Sequence, residues 1–443
     1  MSRAARAEPD LAGELGQQIL TLSYPLADAE DLDPLLDRVG DARYVLLGEA
    51  SHGTHEYYLW RARITQRLIR EKGFSFIAVE GDWPACHRLD RYVRGEIPGS
   101  TAGEVLAEAF DRWPTWMWAN WEIAALADWL RGHNDGLPKG ERVGFYGLDL
   151  YSLWESLSAV MDYLSEHQPD AVTAAYQAFR CFQPYAEDPQ QYALGTLLVP
   201  DGCREEVLAL LDAVAQRAAR EAATDETSLD ALMNARAVKD AEAYYRTMVA
   251  GGAASWNLRD RHMADTLDRL IRFHGPDAKA IVWEHNTHIG DARQTDMADE
   301  GMFNVGQLVR QEHDVDGVIL VGFGSHEGTV IAGREWDGPM EVMPVPPARA
   351  GSWEHALHLM DARDRLLLFR RPPDAGSALA VPRGHRAIGV VYHPELEWGN
   401  YVPTVLPLRY DAFLYLDQTR ALHPLRVEVQ PGREVPDLYP WGV

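Results

Sequence analysis

Only three cysteines occur in 443 residues, Cys86, Cys181 and Cys203, and no two form a CxxC pair. That scarcity argues against a disulfide framework or a thiolate metal site, and it reads as reduced thiols in a cytoplasmic protein. No apolar run approaches the roughly 18 residues of a membrane span. No apolar segment follows the basic residues of "MSRAARAEPD", so no secretory signal is expected either. Basic residues are few, with 42 Lys and Arg against 67 Asp and Glu and a formal charge of −25. This balance disfavours nucleic acid and anionic membrane surfaces as partners, because phosphate binding needs a basic face. The sequence also lacks GxSxG, GxxxxGK[ST], GxGxxG and HExxH. Neither Ser51 nor Ser255 has the setting of an acyl-enzyme nucleophile, and no cofactor-binding signal is present.

Short apolar runs supply the positive signal. "RYVLLGE" (43–49), "FSFIAVEG" (74–81), "RVGFYGLD" (142–149), "KAIVWEHN" (279–286), "GVILVGFG" (317–324) and "RAIGVVY" (386–392) read as buried strands, and "FLYLD" (413–417) as a weaker seventh. Helical periodicity covers 57–72, which ends in "EKG", and 120–132, with Asn120 as N-cap and Gly132 past the end. This alternation predicts an α/β fold, a mostly parallel central sheet flanked by helices. Between the third and fourth runs no strand is expected, and "EEVLALLDAVAQRAAREAA" (205–223) and "DALMNARAVKDAEAYYRTMVAGG" (230–252) predict a large helical insertion that could act as a lid. The expected organisation is a helical lead-in over 1–40, the first part of the core over 41–150, the insertion over 151–255 and the rest of the core over 256–443. The Pro/Gly-rich stretches 335–352 and 370–385 read as loops.

Four of these runs finish on acids or histidines: Glu49 followed by His52, Glu80, Asp149, and Glu284 followed by His285 and His288. Ligands of open α/β sheets bind beyond the carboxyl ends of the strands, so these side chains are expected at one edge. Each has a plainer reading as well. Glu49 serves equally as an ion-pair partner, His55 as a helix-face residue, Arg61 as half of a buried ion pair, and Asp149 as a helix cap. Arg259 either anchors a ligand carbonyl or pairs with a strand-end acid. The stretch "FDRWPTWMWANWE" (110–122) packs the core or gives a pocket wall through Trp116 and Trp118.

A neutral histidine takes a proton from water near pH 7, a carboxylate beside it fixes its tautomer, and a cation or second histidine stabilises an oxyanion. Water activated by His52 and attacking an ester is one use of this set. Zn²⁺ or Mn²⁺ bound by the same histidines and carboxylates is another, although Arg61 would repel a cation. A non-catalytic binder of bulky apolar molecules is a third.

The segments "LLGEASHGTHEYYLWR", "FIAVEGDW", "RWPTWMWANWE", "VWEHNTHIGD" and "YDAFLYLDQTRALHPL" resemble the erythromycin esterase family, in order, from about residue 40 to 426. The "SWNLRD" and "PVPPARAGSWE" segments look like its broad branch, not the macrolide-resistance enzymes. The resemblance implies hydrolysis of an ester or lactone by water, without a covalent intermediate or metal. It places the family's glutamate and general base on Glu49 and His52, its arginine on Arg61, its second glutamate on Glu80, and its paired histidines on His285 and His288. Arg259, Trp116, Trp118 and His55 are then expected around the substrate. The same base would equally serve a biosynthetic elimination or cyclisation. A small-molecule ester or lactone is the expected partner, and oligomeric state stays open.

Overall fold

The computed structural model describes residues 13–185, 189–197, 202–221, 225–249, 251–313, 317–369 and 376–426. Among them eleven strands form: β1 (Ser23–Pro25), β2 (Tyr44–Leu47), β3 (Phe76–Asp82), β4 (Gly144–Asp149), β5 (Ala280–Trp283), β6 (Val318–Gly333), β7 (Met340–Val345), β8 (Arg365–Leu368), β9 (Arg383–Arg386), β10 (Tyr401–Thr404) and β11 (Ala412–Thr419). Nine of them make one sheet in the order β1-β8-β11-β6-β2-β5-β3-β4, with β7 paired to β6. The six from β11 to β4 run parallel, and β8, β1 and β7 join antiparallel. This is the mostly parallel sheet that the apolar runs predict.

Alternation along each strand splits the side chains between two apolar layers. Val45, Leu47, Ile77, Val79, Ile281, Trp283, Ile319 and Val321 face a layer completed by Tyr58, Trp60, Ile64 and Leu68 of the helix His55–Lys72 and Leu126 and Leu130 of the helix Trp121–Asp135. Tyr44, Leu46, Phe76, Ala78, Ala280, Val282 and Leu320 face Leu15 and Ile19, Met263 and Leu267 of the helix Ala253–His274, and Trp353 and Leu357. Burial on both faces is why these strands read as continuous apolar runs. The helix His55–Lys72 ends at Gly73, whose φ of 68° is the left-handed C-terminal conformation that favours glycine. Asn120 caps the helix that follows it, accepting from Ile123 N; that helix runs through Gly132 to Asp135.

From Leu153 to Met248 the described residues form helices joined by short turns, without a strand, and they enclose an apolar core of their own around Leu157, Val160, Phe182, Leu210, Val238 and Tyr245. Cys181 and Cys203 form a disulfide there, 22 residues apart in sequence. This corrects the reading of all three cysteines as thiols. The helix Val172–Phe182 brings Cys181 against the turn before the helix Arg204–Glu221, and sequence spacing carries no trace of that packing. Cysteine usage therefore gives no argument for a cytoplasmic location. Among the described residues no helix is long and apolar enough to cross a membrane.

Three sequence assignments change. Residues 383–385 of the expected loop 370–385 belong to β9, which pairs antiparallel with β10. The run 386–392 is not a sheet strand. Arg386 closes β9 and pairs with Tyr401 of β10, but both edges of the β6 core are already taken by β2 and β11, and residues 387–392 make only isolated bridges, Ile388 to Ser51 and Val391 to Gly333. Within the expected loop 335–352, residues 340–345 form β7. Pro344 is tolerated because β7 pairs on one side only. Residues 1–12 of the lead-in and 370–375 of the second expected loop lie outside the described residues.

Candidate active site

The parallel strands β2, β3, β4 and β5 all end at one edge of the sheet, so Glu49, Glu80, Asp149 and His285 arrive together. Two glycines make the approach possible. A Cβ on Gly48 would stand 2.1 Å from Asn286 Oδ1, and one on Gly53 would stand 1.9 Å from the Ile331 carbonyl oxygen. Asn286 uses the first opening to bridge strand ends, donating to Phe323 O at 2.7 Å and accepting from Phe323 N at 3.2 Å. The second pins the turn that carries His52, whose Gly53 carbonyl accepts from Ile331 N and from Leu422 N.

His52 is buried, and its Nδ1 lies 2.9 Å from Glu49 Oε1. Arg61 donates to the other oxygen of Glu49 at 2.6 Å and lies beneath Tyr58 and Trp283, 4.3 and 4.6 Å from their ring centres. Nδ1–H of the imidazole therefore points at a carboxylate that is itself anchored, and Nε2 is left facing the cavity, 4.0 Å from Glu80 Oε1. Burial pulls the imidazole down, but the Glu80 charge and the bond to Glu49 outweigh it and leave His52 above its ordinary value.

Glu80 is the hub. Its Oε1 accepts from Arg259 at 2.8 Å and lies 3.4 Å from His288 Nε2, and its Oε2 accepts from the backbone N–H of His285 at 2.8 Å. Burial alone would raise this carboxyl; His288, His52, Arg259 and that N–H hold it well below the usual carboxylate range. Arg259 also forks onto Asp149, with bonds of 3.0 and 2.7 Å. His288 Nδ1 lies 3.0 and 3.1 Å from the two oxygens of Asp260, and its ring stacks on Trp256 at 4.5 Å. Burial opposes its charge, yet Asp260 and Glu80 hold it protonated up to about 9. Its Nε2–H then points at Glu80, and the Arg259 Nη1 only 3.2 Å away is a neighbouring cation and not its donor.

His285 differs from both. Its Nδ1 accepts from Thr287 N at 3.3 Å and lies 2.8 Å from Thr287 Oγ1, which places the ring proton on Nε2. That Nε2 is buried, without a hydrogen-bond partner, in a ring that lines the cavity. Burial, then the neighbouring His52, pushes His285 well below its ordinary value, so it stays neutral. The His52 and His285 ring centres are 5.0 Å apart.

The cavity above this floor has an apolar wall made by Phe110, Trp113, Met117, Trp118 and Trp336, and a second made by Val390, Val391 and Tyr401. Of the residues expected from sequence, His52, Glu80, His285, His288, Arg259 and Trp118 line it, and Glu49 and Arg61 stand behind His52. Trp116 and His55 do not line it. Trp116 is sealed in the core, edge-on to Trp113 at 5.4 Å, and His55 pairs with Glu122. Sequence reasoning missed Asp260 and Trp256 as the supports of His288, although both stand in or beside the "NLRD" stretch. It also missed Trp336, which opens the stretch "WDGPMEVMPVPPARAGSWE" that resembles the family, and Tyr401, which comes from a segment without a motif.

A sequence profile described as erythromycin esterase matches residues 69–419. The chain belongs to the erythromycin esterase family. A curated relative, erythromycin esterase type II of Escherichia coli, is 22% identical over 401 residues, covering 85% of this chain and 92% of its own length. Among solved structures, a succinoglycan biosynthesis protein superposes with a TM-score of 0.73 at 22% identity, covering 92% of this chain and 97% of that one. A Bacillus cereus protein gives 0.75 at 20%, covering 93% and 98%. An erythromycin esterase mutant in its open conformation gives 0.63 at 17%, covering 90% and 97%. These likenesses establish the fold, and family membership points to a hydrolase.

Proposed function

We propose that this protein hydrolyses an ester or lactone by direct attack of water, with His52 as the general base. One observation carries the reading: Nε2 of His52 opens on the cavity while Nδ1 is tied to Glu49, and Glu49 in turn is tied to Arg61. In the neutral form Nε2 takes a proton from water as the oxygen attacks the carbonyl carbon. The oxyanion that forms is met by the Nε2–H of His285, the unpartnered donor of the floor. When the tetrahedral intermediate collapses, the proton on His52 passes to the departing alkoxide, and acid and alcohol leave. Glu49 and Glu80 stabilise the imidazolium. Arg259, His288, Asp149 and Asp260 hold Glu80 in place and do not themselves exchange protons with the substrate.

The aromatic wall suits a bulky, uncharged acyl or alcohol portion, and whether that portion is a macrolide is decided by assay. A panel of simple esters, lactones and macrolactones is to be incubated with the wild-type protein and with His52→Ala. Hydrolysis by the wild type, loss in the variant and incorporation of labelled water oxygen into the acid are expected. Near-wild-type turnover by His52→Ala would end the proposal.

A further inference from the structure

His55, withdrawn from the cavity, belongs to a second cluster. Its Nδ1 lies 2.5 Å from Glu122 Oε1, and Nδ1 of His423 lies 2.6 Å from the same oxygen. The two rings meet edge to face with centres 5.1 Å apart. One ligand atom from each of the three residues lies within 4.8 Å of the others. They come from three places: the first residue of the helix His55–Lys72, the first turn of the helix Trp121–Asp135, and the tail after β11. That tail is laced across both helix starts. His55 N donates to Arg420 O at 2.8 Å, Leu422 N to Gly53 O at 3.0 Å, Trp121 N to His423 O at 2.9 Å and Leu425 N to Ala119 O at 2.9 Å.

Hydrogen bonding accounts for only part of this cluster. Both imidazoles converge on one oxygen of Glu122, while the other, Oε2, is buried without a hydrogen-bond partner. Leaving such an atom unmet is costly, and more so when it is charged. No lysine or arginine is paired with Glu122 among the described residues; its ion-pair partners are the two histidines. The Glu122 side chain is 7% exposed and that of His55 17%, whereas His423 is 58% exposed and opens the cluster to solvent. Two imidazole nitrogens, a carboxylate with a spare buried oxygen and one open side make the donor set of a divalent transition metal. Zn²⁺ takes such nitrogens and oxygens at about 2.0–2.2 Å, with water in the fourth position. The Glu122 charge also offsets the two helix N-termini, whose dipoles oppose a cation.

We propose that His55, Glu122 and His423 form a Zn²⁺ site that clamps the tail following β11 onto the starts of the two helices. The site stands apart from the reacting centre, since none of its three residues lines the cavity. It is nevertheless coupled to that centre. Gly53, which receives the tail's Leu422 N–H, follows His52 directly, so the clamp steadies the turn that presents the base.

The test uses the full chain stripped with EDTA and then titrated with ZnCl₂, as wild type, His423→Ala and Glu122→Gln. Calorimetry gives stoichiometry and affinity, and thermal unfolding gives the linked stabilisation. The wild type is expected to gain one high-affinity Zn²⁺ and a raised Tm. His423→Ala, whose exposed side chain can be removed with an unchanged circular dichroism spectrum, is expected to lose both, as is Glu122→Gln. Co²⁺ in place of Zn²⁺ gives the wild type a visible absorption band that both variants lack. Absence of binding by the wild type would overturn the site. So would an unchanged affinity in His423→Ala, which would assign the ion to another cluster, such as Asp268, Glu312 and His313.

Discussion

On the cavity floor the charged side chains are locked to one another: Glu80 to Arg259, His288 and a backbone N–H, Arg259 to Asp149, and Glu49 to His52 and Arg61. The walls are held by ring packing and single hydrogen bonds. Trp113 meets Trp336 at 4.5 Å and donates to Gly338 O, and Trp118 donates to Glu80 O. Removing a floor residue strands a buried partner charge, whereas removing a wall residue only reshapes a volume. Floor substitutions should therefore strike turnover or stability, and wall substitutions substrate affinity.

The sharpest separation is His52→Ala. It should lower kcat by about 10²- to 10⁴-fold, the usual worth of a general base, while urea unfolding stays near wild type, because Glu49 keeps Arg61 and Glu80 keeps Arg259 and His288 as partners. A variant that loses activity only because it unfolds would erase the distinction. Next comes Arg259→Met, which leaves the Asp149 carboxylate buried without its cation and Glu80 with His288 alone as a close cationic partner. Breaking such a buried pair costs about 3–5 kcal/mol, read as a drop in the urea midpoint; a midpoint within error of wild type would contradict the locked floor.

A smaller effect is the pH dependence of stability through His288. Its folded value, about 9, lies above that of an unfolded histidine, so its contribution is whole below the unfolded value and is lost as pH rises through about 9. His288→Gln should flatten that alkaline decline, measured by unfolding at a series of pH values. The smallest effect is expected from Trp336→Ala. One aromatic contact is worth about 0.5–1.5 kcal/mol, so KM should rise by at most about tenfold with kcat nearly unchanged. A large fall in kcat would mean that this wall takes part in the floor's work.

The same contrast separates what the sequence makes legible from what it hides. β2, β3, β4 and β5 are buried on both faces, so each reads as an apolar run, and Glu49, Glu80 and Asp149 at the ends of the first three and His285 and His288 after the fourth mark the floor in advance. Asp260 could not be assigned to His288 because nothing in a 28-residue separation shows which side chain of a helix meets which loop. Trp116 and Trp118 lie either side of the end of one 3₁₀ turn, and only tertiary packing turns the first into the core and the second toward the cavity. β7 was hidden by its Pro344, and the run 386–392 misleads because apolar composition does not reveal whether a sheet edge is free. The pairing of Cys181 with Cys203 and the convergence of His423 on Glu122 arise from packing between segments that carry no shared periodicity.

Of the three neighbouring imidazoles, His52 and His288 are held above the ordinary histidine value and His285 below it. Histidine-labelled protein followed by NMR from pH 5 to 10, with signals assigned through His52→Gln, His285→Gln and His288→Gln, measures those states without a substrate. His52 should titrate above the ordinary histidine value, His285 should remain neutral throughout, and His288 should stay protonated until about pH 9. Three histidines titrating together near the ordinary value would contradict the account.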